Sequence, residues 1–303
     1  MAVPDFQSFF KPILDIAADN QEHSVKDVKT IIKSVMNLSE ADLSELLPSG
    51  TQSKFNNRIA WAVTFFVQAK VLERPRRAYF KITERGRELH NRNHPRIDVA
   101  VLKAYPEFLE FQTSKRAATG SSCESDTSSA TATPDEIFQQ AYLSMRNDLA
   151  SEILEKIKNN SPGYFENLVV DLLVAMGYGG SRADAGQSLG RSGDEGIDGI
   201  IKEDRLGLDV IYLQAKRWDS TVGRPEIQRF VGALHGKRAK KGVFITTGRF
   251  SNDAVEYVAT IDPKVILIDG RALVEYMIDF NLGVTTATTY EIKRIDSDYF
   301  TEE

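Results

Sequence analysis

Apolar residues recur at helical spacing in the first third of the chain. They fall three or four positions apart between Asp5 and Ala18, again after the potential cap Ser24, and again after Ser53. Two short β-like runs then flank the basic turn Arg74–Arg77, and a polar helical segment follows. Three helices followed by a hairpin is the element order of a winged helix. We therefore predict a winged helix-turn-helix domain over residues 1–96.

The pattern changes twice further along the chain. Residues 97–135 drift into small polar side chains, which predicts a flexible linker. Periodicity returns over residues 136–303, which begin with a long helix from about Pro134 to Asn159. A helix from Ser161, a two-strand hairpin and then alternating helices and buried strands follow. This order predicts an α/β domain with a central mixed sheet, so the whole chain is a multi-domain α/β protein.

Composition narrows the class of protein. A chain of 303 residues is long enough for two domains, and 42% hydrophobic with 27% charged residues is typical of globular proteins. The single cysteine, Cys123, excludes an internal disulfide and fits a reducing compartment. The start resembles no signal peptide, and eighteen apolar residues never run together. We expect a cytoplasmic protein with no membrane span.

Charge is distributed unevenly. The net charge is −5, yet residues 70–96 hold nine Lys and Arg against three Asp and Glu. A local excess of positive charge favours phosphate contacts and therefore DNA binding. Single residues of this kind are more often solvated first-turn residues, and winged helices also serve as protein-interaction modules. As a group, the expected DNA-binding residues are Lys54, Asn56, Asn57 and Arg58 at the start of the third helix and Arg74, Arg76 and Arg77 in the turn.

The predicted hairpin of the second domain carries the candidate chemistry. Asp198 begins one strand, and Gln214 and Lys216 lie two apart on the other, so they share a face. The carbonyl of Ala215 adds a further oxygen. Oxygen ligands suit Mg²⁺, and a nearby ammonium suits the charge of phosphodiester cleavage. An isolated match of this length is usually accidental. The hairpin context, the glycines around Asp198 and a lysine that ends an apolar strand favour a nuclease site here.

The segments around these residues resemble a known family. GDEGIDGIIKED, IYLQAKRW, VGRPEIQRFVGAL, KKGVFITTGRFS and VILIDGRALVEYMI are similar to the catalytic domain of the Mrr restriction endonucleases, a branch of the PD-(D/E)xK nucleases. The first third resembles their winged-helix domain. The resemblance implies a restriction-endonuclease-like fold and a Mg²⁺-dependent enzyme, with Mn²⁺ as a substitute, that cuts foreign double-stranded DNA methylated at adenine or cytosine. It also implies that Asp198, Gln214 and Glu166 bind metal and that Lys216 is the catalytic lysine.

Other functions stay open at this point. A DNA repair or junction nuclease would use the same metal site, and a DNA-binding regulator could carry an inactive nuclease fold. The complete set of Asp198, Gln214 and Lys216 argues against an inactive domain. Because double-strand cleavage needs two active sites, we expect a homo-oligomer on DNA.

Overall fold

The computed structural model describes residues 3–119, 131–179, 196–203, 208–293 and 295. The chain divides into a first unit, Met1–Ser144, and a second unit, Met145–Lys293. The predicted domain bounds, 1–96 and 136–303, remain a proposal.

Helices dominate the first unit. After a 3-10 turn at Phe6–Phe9, the helices are α1 Phe10–Ala17, α2 Val25–Val35, α3 Glu40–Ser44, α4 Lys54–Gln68, α5 Glu84–Asn91, α6 Val99–Leu102 and α7 Pro106–Thr119. Short strands β1 His23–Ser24, β2 Leu72–Glu73 and β3 Tyr79–Ile82 form an antiparallel sheet in the order β1-β3-β2. The β2–β3 hairpin lies where the basic turn was expected. The winged-helix assignment itself stays a prediction.

A cluster of aromatic side chains forms the core of the first unit. Phe9 from the 3-10 turn, Phe10 from α1 and Phe66 from α4 are fully buried, together with Phe80 of β3. The rings of Phe10 and Phe66 lie 4.9 Å apart. Caps predicted from the sequence hold the helix starts, since the Ser24 side chain accepts a hydrogen bond from the amide of Asp27. This core fixes α4 against the sheet.

The start of the predicted linker is part of that core. Residues 97–119 include two helices, α6 and α7, and Ile97, Leu102 and Phe108 are buried. The expectation of a flexible connection from residue 97 is therefore wrong for this stretch, because its apolar side chains pack on the helices before it. Residues 120–130, with Cys123, lie outside the described residues.

An ion pair joins α7 to α5. The Arg85 guanidinium donates to both carboxylate oxygens of Glu107, at 2.8 and 3.1 Å. This contact lowers the pKa of Glu107 from 4.5 to about 2, with Arg85 as the main cause. The carboxylate is thus favoured in the folded chain.

A pH dependence of stability follows from this pair. Because the folded pKa of Glu107 lies below its unfolded value, its contribution is complete above about pH 4.5 and is lost as the pH falls toward 2. We expect Glu107→Gln to lower the urea midpoint at pH 7 and to change it little near pH 2.5, relative to wild type. Urea unfolding at both pH values measures this. An equal loss at both values would contradict the role of the charge.

Helix α8, Pro134–Asn159, has the bounds that the sequence predicts. Its residues up to Ser144 belong to the first unit and the rest to the second. Charged residues recur along its length. Within the described ranges, no helix combines the length and the apolar character needed to cross a membrane.

The second unit is an α/β domain around a mixed sheet, as predicted. Its elements are α9 Pro162–Ala175, β4 Gly199–Lys202, β5 Val210–Lys216, α10 Arg224–Gly236, β6 Lys241–Thr246, α11 Asn252–Ala259, β7 Lys264–Ile268 and α12 Gly270–Asp279. The strands lie in the order β4-β5-β6-β7. Strand β4 is antiparallel to β5, while β5, β6 and β7 are parallel.

Helices cover both faces of this sheet. Val243 and Ile245 of β6 pack toward α9, α12 and the second half of α8, whereas Phe244 between them packs toward α10 and α11. Alternate residues of a strand point to opposite faces, so each strand serves two cores. The end of β5 is thereby fixed from both sides.

Candidate active site and nucleic-acid surface

The hairpin β4–β5 positions Asp198 through its backbone and its side chain. The amide of Asp198 donates to the carbonyl of Leu213 at 2.8 Å, and its Oδ2 accepts from the amide of Ala215 at 2.8 Å. Gly199 pairs with Leu213, so Asp198, one residue earlier, stands opposite Gln214. The carboxylate is held in one orientation beside β5.

Lys216 is the last residue of β5 and lies near this carboxylate. Its Nζ is 3.6 Å from Oδ2 of Asp198, and both side chains are partly accessible, at 28% and 20% exposure. Gln214 and Lys216 are two apart on the strand and share a face. The structure thus brings together the three residues that the sequence singled out.

Gln214 contains an acceptor without a partner. The side chain is buried, and its Oε1 is without a hydrogen bond in the part of the chain that the structure describes. A buried amide oxygen without a partner is costly. Its neighbour Gly196 has φ +100°, and a Cβ there would lie 3.1 Å from Nε2 of Gln214. The amide is therefore confined by Gly196 on one side, and its oxygen is unpartnered.

This donor set fits a hard divalent cation. Such ions take oxygen ligands and commonly use one or two carboxylates plus substrate oxygens. Asp198 would supply a carboxylate and Gln214 a neutral oxygen. Among the described residues, no three His, Cys, Asp or Glu side chains are grouped so that they could hold a metal ion. A ligand at Oε1 would also satisfy the unpartnered acceptor.

Two further metal ligands are predicted, Glu166 and the carbonyl of Ala215. Glu166 lies on α9, half-buried. No hydrogen bond or ion pair joins it to Asp198 or Lys216 among the described contacts. Ala215 contributes its amide to Asp198. The roles of the Ala215 carbonyl and of Glu166 as metal ligands stay predictions.

Two buried threonines hold the chain after Lys216, and sequence reasoning did not find them. The Thr246 hydroxyl donates to the Lys216 carbonyl at 2.9 Å and accepts from the Gly248 amide at 3.1 Å. The Thr247 hydroxyl donates to the Trp218 carbonyl at 2.9 Å. The signal was present in the run KKGVFITT, where two polar residues end an otherwise apolar strand.

Thr246→Val tests this support for Lys216. The change removes the hydroxyl but keeps the shape, so the Gly248 amide loses its acceptor, which lowers the unfolding free energy by about 1–3 kcal/mol. We expect the cleavage rate constant to fall about tenfold, less than for a misplacement of a full ångström. Thr246→Ser should restore both quantities. Thr260→Val removes an exposed hydroxyl and is the control; an equal effect there would contradict the specific role.

The turn between β2 and β3 presents three arginines. Arg74, Arg76 and Arg77 are exposed. Arg76 pairs with Glu22 at 3.0 Å and lies 3.7 Å from the ring centre of Tyr79. Arg74 donates to the Thr64 hydroxyl at 3.1 Å. Exposed pairs of this kind are weak and leave the guanidinium groups accessible to a polyanion.

The start of α4 differs from the expectation of open side chains. Asn57 is 1% exposed and Arg58 is largely buried, because both bind residues at the start of α8. Lys54 pairs with Glu45 at 2.7 Å, which lowers the pKa of that carboxyl. Asn56 is half-buried. Sequence spacing predicted the helix but could not show that a segment 78 residues later covers it.

Comparison with known proteins is informative for both units. A family model described as a restriction endonuclease matches residues 157–277, and one described as an Mrr N-terminal domain matches residues 6–92. A relative from Escherichia coli (strain K12), the "Type IV methyl-directed restriction enzyme EcoKMrr", is 34% identical over 314 residues. That match covers 99% of this chain and 100% of the relative.

Two solved structures show partial likeness. The DNA modification-dependent restriction endonuclease AspBHI is 20% identical, with a TM-score of 0.34, over 54% of this chain and 39% of the other. The MspJI restriction endonuclease in complex with a 27-mer oligonucleotide is 24% identical, with a TM-score of 0.34, over 54% and 36%. The chain therefore spans well under half the length of either protein, and likeness this partial adds nothing to the assignment.

Proposed function

Because the chain belongs to the Mrr family of restriction endonucleases and is thus a DNA endonuclease, a hydrolase, we propose that it hydrolyses phosphodiester bonds in methylated foreign DNA. The second unit cuts, with Asp198, Gln214 and Lys216 as its active site. The observation that carries this proposal is the approach of Lys216 Nζ to within 3.6 Å of Asp198 beside the unpartnered oxygen of Gln214.

The residues have distinct roles in this mechanism. Asp198 and Gln214 would hold a divalent cation, Mg²⁺ with Mn²⁺ as a substitute, and the Ala215 carbonyl and Glu166 are the further candidates. An ion bound there would supply Lewis-acid chemistry, polarisation of the phosphate and activation of a water molecule. The Ala215 amide keeps the Asp198 carboxylate oriented. Lys216 directs its ammonium toward the reacting phosphate and offsets negative charge as it develops.

The first unit is proposed to bind the DNA. Arg74, Arg76 and Arg77 contact phosphates, and Lys54 and Asn56 approach the same duplex from the start of α4, as in a winged helix. Base reading by Asn57 and Arg58 requires their release from α8. Because cutting both strands uses two active sites, we propose that a homo-oligomer acts on the DNA.

Cleavage of matched plasmids tests the proposed substrate. One plasmid is grown in a host that methylates adenine or cytosine, and its partner is unmethylated. We expect strand cleavage of the methylated plasmid in Mg²⁺ and little of its partner. Equal cleavage of both would overturn the modification specificity and leave the nuclease in place.

A further inference from the structure

Acidic side chains at the start of α8 cover the start of α4. We call residues 133–139 the acidic segment and Asn57, Arg58 and Trp61 the α4 surface. Both lie in the first unit. The acidic segment contributes Thr133, Asp135, Glu136 and Gln139.

Arg58 and Glu136 form the central ion pair. Arg58 Nε donates to Glu136 Oε1 at 2.8 Å, and the two side chains are 11% and 10% exposed. Arg58 Nη1 also donates to the carbonyls of Val3 and Pro4, at 2.7 Å each. If the Glu136 carboxylate is displaced, those two hydrogen bonds still hold the guanidinium in place. Arg58 Nε can then donate to another anion.

Asn57 and Trp61 bind the same segment. Asn57 Nδ2 donates to Asp135 Oδ2 at 2.6 Å, and its Oδ1 accepts from the Thr133 hydroxyl at 2.7 Å. Trp61 Nε1 donates to the same Asp135 oxygen at 3.2 Å. A guanidinium, an amide and an indole N–H, each bound to a carboxylate here, are also the donors that bind phosphates and base edges.

The contact is polar, and its hydrogen-bonding side chains are largely buried. An open groove of about 390 Å³ lies beside it, lined by Lys54, Arg58, Glu136 and Leu143 among others. A further hydrogen bond runs from the Ser49 amide to Gln139 Oε1 at 3.0 Å. An association of this kind can exchange one set of acceptors for another without disrupting the Phe9, Phe10 and Phe66 core.

We propose that the α4 surface has two alternative ligands: the acidic segment, which occupies it in this structure, and DNA, which displaces that segment. This inference rests on the proposed function of the first unit. The carboxylates of Asp135 and Glu136 take the positions of DNA acceptors and lower the affinity of the chain for DNA until they are displaced.

Neutralising the segment tests this competition in the full-length protein. In Asp135→Asn/Glu136→Gln the size of both side chains is kept and their charge is removed. We expect the Kd for a labelled methylated duplex to fall about tenfold, equivalent to one charge-assisted hydrogen bond. Asp27→Asn/Glu110→Gln removes the same charge from exposed positions of the first unit and is the control. An equal gain in the control would overturn the proposal.

Hydrogen–deuterium exchange on the wild type tests it without a variant. On addition of DNA, the amides of residues 133–139 should exchange faster while those of α4 and the β2–β3 turn become protected. If exchange in residues 133–139 stays slow while the β2–β3 turn becomes protected, DNA does not displace the acidic segment. The competition is then wrong, but the proposed DNA binding by the first unit stands. If exchange changes neither in α4 nor in the β2–β3 turn, both the competition and the proposed DNA-binding role of the first unit are wrong.

Discussion

Asp198→Ala and Lys216→Ala are each expected to lower the rate constant of DNA cleavage at least about a hundredfold. Asp198→Ala removes the carboxylate that the Ala215 amide orients, and Lys216→Ala removes the ammonium 3.6 Å from it. Single-turnover cleavage of a labelled methylated duplex measures the effect. DNA affinity should change little, because the proposed DNA-binding surface lies in the first unit.

Matched variants separate chemistry from folding. Lys202→Ala removes an exposed lysine from the same hairpin, and Asp253→Ala removes an exposed aspartate from α11. Both should cleave at nearly the wild-type rate, and thermal unfolding should show that all four variants are folded. If Lys216→Ala retained full activity in a folded protein, the proposed site would be wrong.

Replacing all three arginines of the β2–β3 turn by glutamine should weaken DNA binding more than about tenfold at moderate salt. Removing one phosphate contact decreases the slope of log affinity against log salt by about 1, so the slope should decrease by about 3 in the triple variant. The turn is exposed and lies outside the core, so the protein should remain folded. Fluorescence anisotropy across a salt series measures both quantities.

A control with the same charge change tests whether position matters. Lys103, Lys237 and Lys264 are exposed and lie outside the turn. Their triple change to glutamine should alter the slope much less. An equal decrease in both triple variants would indicate a general charge effect and contradict a DNA contact at Arg74, Arg76 and Arg77.

Local patterns predicted much of the fold. The bounds of α8, the start of α4 after Ser53 and the β4–β5 hairpin follow from periodicity and turns, which are properties of neighbouring residues. The short helix α3 was missed, although Ser39 and Asp42 form a reciprocal capping box around its start. A helix of five residues has too little periodicity to identify.

Contacts between distant residues could not be predicted in the same way. Spacing alone predicts a solvent-facing Asn57, whereas the fold places Asp135 beside it. Likewise, the polar composition after residue 97 predicted a linker. Leu102 and Phe108 nevertheless pack into a core formed by residues far earlier in the chain. Composition describes an average over a segment, whereas burial depends on single apolar side chains.

The candidate site depends both on local sequence patterns and on contacts between distant residues. The spacing of Gln214 and Lys216 fixed their common face, and the hairpin fixed Asp198 opposite them. The support from Thr246 depends on the parallel pairing of β5 with β6, across 30 residues of chain. No sequence spacing specifies that register.

Metal binding and cleavage followed in the same samples test the proposed active site most directly. Wild type, Asp198→Ala and Lys216→Ala are titrated calorimetrically with Mg²⁺ in the presence of methylated duplex and Ca²⁺-free buffer, and cleavage is then measured in the same mixtures. We predict that wild type binds Mg²⁺ and cuts, that Asp198→Ala does neither, and that Lys216→Ala binds Mg²⁺ without cutting. Mg²⁺-dependent cleavage by folded Asp198→Ala at the wild-type rate would contradict a metal site at this carboxylate.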